Sequence, residues 1–502
     1  MFKIFKIAVP ALMAAAAMLT VFGGSVSGRD AYIGLSSPNP ISQPPSAAPV
    51  RVVLDWSIIE VSPGIYNWSR AADGVSVEKI VKELVRGGSA PMLVLSGGPV
   101  YLPHLAGQQA VDSNALLERW QAFISAAVEH FGAQTDFWQI GSGINNPAQW
   151  AKVVYPAANQ ALAAPDPALY GQMLRAAAQI INAKDSSSQV LLGSLEFSED
   201  CSAAPLAYLE ALAIGADWGL FDAAVIDLPA FTTAPENAQP LACAGESDAL
   251  NEIGMFLNSH SKKTFWVSGL RWERSALEQA AAARGTLAEI VETDYLTRQS
   301  TLLAAIGASR VLWQPAQGGF SLPVQHAFTN LGAAIGAARF ENQSTNEDGS
   351  QLVLRFRRGG RSSIVLWRVH GGDAALPAVL QGFQGMRVTA YSADAQNLSA
   401  KSGVALSVDE FGWSGLMLSE RPVILLASHT DIKAAALAAL EDKTAALGNA
   451  LQSAFSGWFE TQKSKAAGAI SDWAKEQQRS LLNMIKIRFE DWVKTSLGIA
   501  SR

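Results

Sequence analysis

Between residue 30 and about residue 335, eight short apolar runs alternate with amphipathic helical stretches, and this alternation constrains the chain more than any other feature. The runs cover residues 31–35, 51–55, 91–96, 137–141, 190–195, 223–227, 264–268 and 310–313. The helical stretches cover 77–86, 114–131, 167–183, 205–214, 247–259 and 287–306. Strands buried on both faces read as unbroken apolar runs, and strands separated by helices pair in parallel. Eight such units predict an α/β fold, a (β/α)8 TIM barrel over 29–335, with its working residues at the C-terminal strand ends. One link departs from the pattern: Ser36-Ser37-Pro38-Asn39-Pro40 and Gln43-Pro44-Pro45 are loop chemistry with no room for a helix.

Beyond residue 335 the period changes. Gln351 to Arg357 alternates polar and apolar residues, and Ser363 to Val369 follows a Gly-Gly turn. Further short runs at 386–391, 404–408 and 422–427 complete the pattern of a small β-sandwich-like domain over 336–428. Residues 429–502 contain no proline and are rich in Ala, Lys and Glu. Ile470, Trp473, Gln477, Leu481, Ile485 and Trp492 share one face at helical spacing, which predicts an amphipathic helical tail. Such a face packs on a partner protein, on the body of the molecule, on a second copy or on a membrane surface.

Lys3 and Lys6, the apolar run from Ile7 to Phe22 and the small residues 23–28 form an export signal over 1–28. Export to a periplasmic or extracellular location follows, with attachment to the cell envelope as a variant. Cys201 and Cys243 are the only cysteines. In an oxidising compartment an even pair suggests one disulfide, with two separate thiols as the alternative. The formal net charge is −6 and there is no basic run, so a nucleic-acid surface is not expected. No metal-ligand spacing, phosphate loop or dinucleotide fingerprint is present, so no cofactor is expected.

The segment Arg51-Val52-Val53-Leu54-Asp55-Trp56, continued by Ile59-Glu60-Val61-Ser62-Pro63-Gly64-Ile65-Tyr66-Asn67-Trp68, resembles the early motif of clan A glycoside hydrolases. It is closest to the family 39, β-xylosidase-like type and its exopolysaccharide-associated relatives. Trp313 on the eighth strand and the trailing β-domain with Arg421-Pro422-Val423 fit the same resemblance. It implies an acid/base Glu after the fourth strand and a nucleophilic Glu after the seventh. This chain has Gly143 and Gly269 there. A two-residue slip brings Asn145-Asn146-Pro147 onto the first motif, and an amide cannot donate a proton as a carboxylic acid does. After the sixth strand a His-Pro-Tyr type segment is replaced by Leu228-Pro229-Ala230. The family's activity is therefore not carried over. In the family Glu60 holds its own loop, and a structural role is expected of it here.

Glu196, Asp227 and Glu273 at or beyond the fifth, sixth and seventh strand ends are the carboxyls that could rescue catalysis. Sugars stack on aromatic rings and take hydrogen bonds at their edges. Trp56, Tyr101, Trp150, Trp272 and Trp313 are expected near the cleft mouth, with Asn145 and Asn146 as polar edges, whereas Trp138 and Trp266 lie within strands and read as core. The leading expectation is an exported pseudo-glycosidase that binds a poly- or oligosaccharide or serves its assembly. A working hydrolase or transglycosylase with relocated carboxylates and a structural envelope scaffold are the alternatives.

Overall fold

The structure is a computed structural model. It describes residues 31–36, 48–70, 76–99, 112–154, 163–197, 204–215, 218–236, 249–261, 263–316 and 321–429. The last range has short gaps at 337, 347–348, 359–360, 370–375, 381–382, 384–385, 400 and 411–412. The export signal, Tyr101, Cys201, Cys243 and the helical tail from residue 430 onward lie outside the described residues.

Strands β1 (Ile33–Leu35) and β2 (Pro49–Asp55) precede a small hairpin, β3 (Glu60–Ser62) with β4 (Ile65–Tyr66). Six more strands follow: β5 (Ala90–Ser96), β6 (Phe137–Ile140), β7 (Gln189–Glu196), β8 (Ala223–Asp227), β9 (Thr264–Leu270) and β10 (Ala308–Trp313). Strands β1, β2 and β5 to β10 close into an eight-stranded parallel barrel, in the order β1-β10-β9-β8-β7-β6-β5-β2. The intervening helices are Val77–Arg86, Ser113–Phe131, Pro167–Lys184, Pro205–Gly215, Ala249–Ser261 and Ala288–Ala305. They match the predicted ones within a few residues. Among the described residues the structure adds Pro147–Val154, Arg274–Arg284, Leu322–Ile335 and the single turn Trp56–Ile59. The first two escape pattern reading because they are short or polar.

Alternation on each barrel strand divides the core in two. Val50, Val52 and Leu54 of β2 face the helices. Met92, Val94, Phe137, Leu191, Ala223, Val225, Trp266 and Leu312 fill the lumen. Arg310 lies between two of them, 4.6 Å from the Phe137 ring and 4.4 Å from the Trp266 ring. The lower lumen is thus a packed plug, as barrel interiors are. Trp138 and Trp266 are buried, as their place inside strands implies.

The second domain holds β11 (Arg339–Thr345), β12 (Gln351–Arg358), β13 (Arg361–Arg368), β14 (Leu376–Val379), β15 (Met386–Ser392), β16 (Val404–Leu406), β17 (Trp413–Leu418) and β18 (Val423–His429). Six of these form an antiparallel sheet, β11-β12-β13-β18-β15-β16, and β14 pairs with β17. Both faces of the large sheet are covered. Val365, Trp367 and Ile424 belong to the same apolar cluster as the barrel, while Ile364, Leu366 and Leu425 pack with Leu380, Phe383 and Leu418.

Helix Ala288–Ala305 runs between barrel and sheet and is buried almost all round, polar residues included. Arg298 is 1% exposed and forms a two-pronged ion pair with Glu236, whose Oε1 also accepts the Trp367 indole N–H at 2.5 Å. Asp294 on the same helix faces Arg284 and Arg421 at 3.6 and 3.5 Å. Buried charges persist only when paired, and these pairs tie the barrel to the sheet.

Candidate functional site at the upper barrel rim

Strand alternation sends Arg51, Val53 and Asp55 of β2 towards the lumen. Val53 is 43% exposed, so solvent reaches the upper lumen. Below it, Arg51 crosses from β2 towards β8, the strand four places away around the barrel. Its Nη2 donates to Ser142 Oγ at 2.9 Å and stands 3.5 Å from Asp227 Oδ2. Ser142 in turn lies 3.2 Å from Ser194, whose Oγ accepts the Gly143 N–H at 3.0 Å. Arg51 Nε, Asp227 Oδ1 and Ser268 Oγ are buried with no hydrogen-bond partner among the described residues. Buried polar atoms are satisfied by protein, water or ligand, so these three mark the upper lumen as polar.

The segment after β6 is built to hold Glu196. Asn145 is 4% exposed; its Nδ2 donates to the Glu196 carbonyl at 2.9 Å and its Oδ1 accepts the Glu196 N–H at 2.8 Å. The side chain replaces a strand, extending the β6–β7 pairing past Ile140. Asn146 Nδ2 donates to Glu196 Oε2 at 2.5 Å, and its Oδ1 caps helix Pro147–Val154 through the Ala148 N–H at 2.9 Å. Burial pushes the Glu196 carboxyl above its ordinary range, and the Asp227 charge adds to this. The Asn146 hydrogen bond, Arg51 and Lys152 oppose it.

Both glycines at the expected catalytic positions are left-handed, with φ of +60° at Gly143 and +75° at Gly269. A Cβ on Gly143 would stand 2.5 Å from Glu196 Oε1 and from Gln149 Cγ. The Glu196 carboxylate thus occupies the space a side chain at 143 would need. At Gly269 a Cβ would stand 3.1 Å from the Leu228 carbonyl oxygen and 3.7 Å from Arg271 Nη1.

Of the rescue carboxyls, Glu196 and Asp227 come together and Glu273 stands apart. Glu196 and Asp227 are register partners on the neighbouring strands β7 and β8, about 4.8 Å apart as paired strands are. They stand side by side on one wall, whereas glycosidic cleavage uses two carboxyls that flank the bond. Asp55 on the opposite wall is engaged, since its Oδ1 accepts the Ser57 N–H at 3.0 Å and the Ser57 hydroxyl at 2.6 Å. Glu273 is exposed on the outer rim, at the start of helix Arg274–Arg284.

The aromatic expectations are corrected. Trp56 is 0% exposed; it stacks on Phe123 at 5.1 Å and its indole donates to Glu60 Oε2 at 2.5 Å. Glu60 also accepts the Gly64 N–H at 2.6 Å, so it organises its own loop, the role expected of it. Trp150 and Trp313 are buried, and Trp272 is buried against Phe231 and Tyr295 with its indole on the Thr233 carbonyl at 3.2 Å. None of these four presents a face to a sugar. Asn145 is also consumed, by the Glu196 backbone. Proximity to a strand end was legible, but the face on which each ring lies was not. Sequence reading also passed over Arg51, Ser142, Ser194 and Arg271. Strand parity was the available signal for Arg51 alone.

No family model and no curated protein matches this chain. Solved structures do. The barrel is similar to those of solved glycoside hydrolases. A family 39 glycoside hydrolase from the gut symbiont Bacteroides cellulosilyticus WH2 superposes with a TM-score of 0.52 at 14% identity, over 76% of this chain and 75% of that one. A family 44 xyloglucanase from Paenibacillus polymyxa gives 0.50 at 10% identity, over 81% and 97%. At such identities the likeness concerns the fold, and function has to be argued from the site.

Proposed function

We propose that this protein is an exported saccharide-binding protein built on a glycoside hydrolase barrel, and that it binds a poly- or oligosaccharide without cleaving it. One observation carries the reading: the rim carboxyls Glu196 and Asp227 share one wall, and left-handed glycines stand at both positions where facing carboxyls are expected. The polar upper lumen, open to solvent at Val53, is the space a sugar would enter. Export rests on the N-terminal charge and apolar pattern. A role in polysaccharide assembly at the cell envelope follows from export combined with binding.

The test is a panel of bacterial and plant polysaccharides, scored in parallel for binding by affinity electrophoresis and for release of reducing ends. Binding without release is the expected result. Release that disappears in both Glu196→Gln and Asp227→Asn would replace this reading with a hydrolase using relocated carboxyls. Such an enzyme would draw on the upward-shifted Glu196 as its acid. N-terminal sequencing of protein recovered outside the cytoplasm checks export; an intact Met1 on all recovered protein would contradict a cleaved signal.

A further inference from the structure

We infer that the saccharide recognised here is acidic, and that Arg271 reads its carboxylate at the position where Gly269 leaves a side chain missing. This rests on the saccharide-binding reading above and specifies the ligand class. Arg271 follows β9 on the rim, and its backbone is fixed, because its carbonyl accepts the Phe231 N–H at 2.9 Å. Trp272 continues this pairing as a bridge to Phe231. The half-buried side chain turns back towards Gly269, so that a carboxylate carried by residue 269 would meet the guanidinium.

No such carboxylate exists. Among the described residues Arg271 donates only to the neutral amide of Gln314, whose Oε1 lies 3.4 Å from Nη1, at the long limit of hydrogen bonding. Among the described residues no carboxylate pairs with it. The neighbouring acids are committed or displaced. Asp227 lies against Arg51, Glu196 is held by Asn146 and pushed towards its neutral form, and Glu273 is exposed on the outer rim. A planar guanidinium prefers a bidentate carboxylate, and a half-buried one gains most from meeting it. The anion that the described residues do not supply is therefore supplied by the ligand. A uronate residue carries a carboxylate on a sugar ring of the size that barrel clefts accept.

The experiment compares uronate-containing oligosaccharides with the same oligosaccharides after reduction of their carboxyls to alcohols, by calorimetry on the full chain. The acidic form is expected to bind at least about ten-fold more tightly, the scale of one charge-assisted contact. Raising salt should narrow the gap. Arg271→Ala should bring the acidic ligand down to the affinity of its reduced form, with an unchanged Tm showing that the variant is folded. Arg271→Lys should keep part of the preference. Equal binding of the two forms, or a preference that survives Arg271→Ala, overturns the inference while the saccharide-binding reading stands. Failure of every acidic and neutral ligand to bind overturns both.

Discussion

Gly143 shows how one residue closes off a chemistry. Its φ of +60° lies where side chains other than glycine are disfavoured, and the space beside it is filled by Glu196 and Gln149. Replacing it with Glu should not install an acid/base. Gly143→Ala should cost about 1–3 kcal/mol from backbone strain and crowding, and Gly143→Glu at least as much. Urea denaturation measures both, and a reducing-end assay on Gly143→Glu is expected to stay at background. A variant as stable as the parent would mean that the local backbone relaxes, and that the space is open to a carboxyl after all. The resemblance located this position in the sequence, because strand and loop patterns align. The handedness of the glycine and the intrusion of Glu196 from another strand were not legible, since they depend on residues about fifty positions apart.

At the scale of elements, two features carry predictions. The Asn145 amide acts as a length of strand for β7, with one donor and one acceptor on the Glu196 backbone. Asn145→Ala leaves both backbone groups buried without partners and should cost about 2 kcal/mol or more. Asn145→Asp keeps the acceptor, loses the donor and should fall between. Thermal denaturation ranks the three. Reading Asn145 as a sugar contact was reasonable from a polar loop after a strand, and packing reassigned it.

Helix Ala288–Ala305 holds the second feature. Burial raises the Glu292 carboxyl to about 7, against an opposing hydrogen bond from the Ala316 N–H. Below pH 4.5 both folded and unfolded states hold the proton, and the group contributes nothing. Between 4.5 and 7 the unfolded state ionises first, so stability falls as pH rises, and above 7 the full penalty remains. Glu292→Gln keeps the acceptor and removes the penalty. It should raise stability at pH 8 by about 3 kcal/mol at most, and change little at pH 4. A Tm difference that does not grow with pH would contradict this. The helix itself was legible from its length and apolar content. Its burial on every side was not, because the sheet that covers it lies later in the chain.

For the whole molecule, the junction of barrel and sheet decides stability. Glu236, from the loop after β8, receives Arg298 of helix Ala288–Ala305 and the Trp367 indole of β13. Glu236→Ala leaves Arg298 buried and unpaired, and should cost about 3–5 kcal/mol. Because the barrel and one face of the sheet share an apolar cluster, the two domains should unfold in one calorimetric transition. Two separated transitions in the parent protein would show that the junction is weaker than its ion pairs imply.

The sequence by itself determined the eight-stranded barrel, the small β-domain and the absence of a carboxyl at residues 143 and 269. Those features are local: an apolar run is a buried strand wherever it occurs, and a glycine has no carboxyl in any fold. Only the tertiary structure decided that Trp56, Trp150, Trp272 and Trp313 are buried, that Glu196 and Asp227 stand on one wall, and that Arg271 turns back towards Gly269. Each of those depends on which distant strand lies alongside and on which face a side chain leaves, and barrel closure sets both.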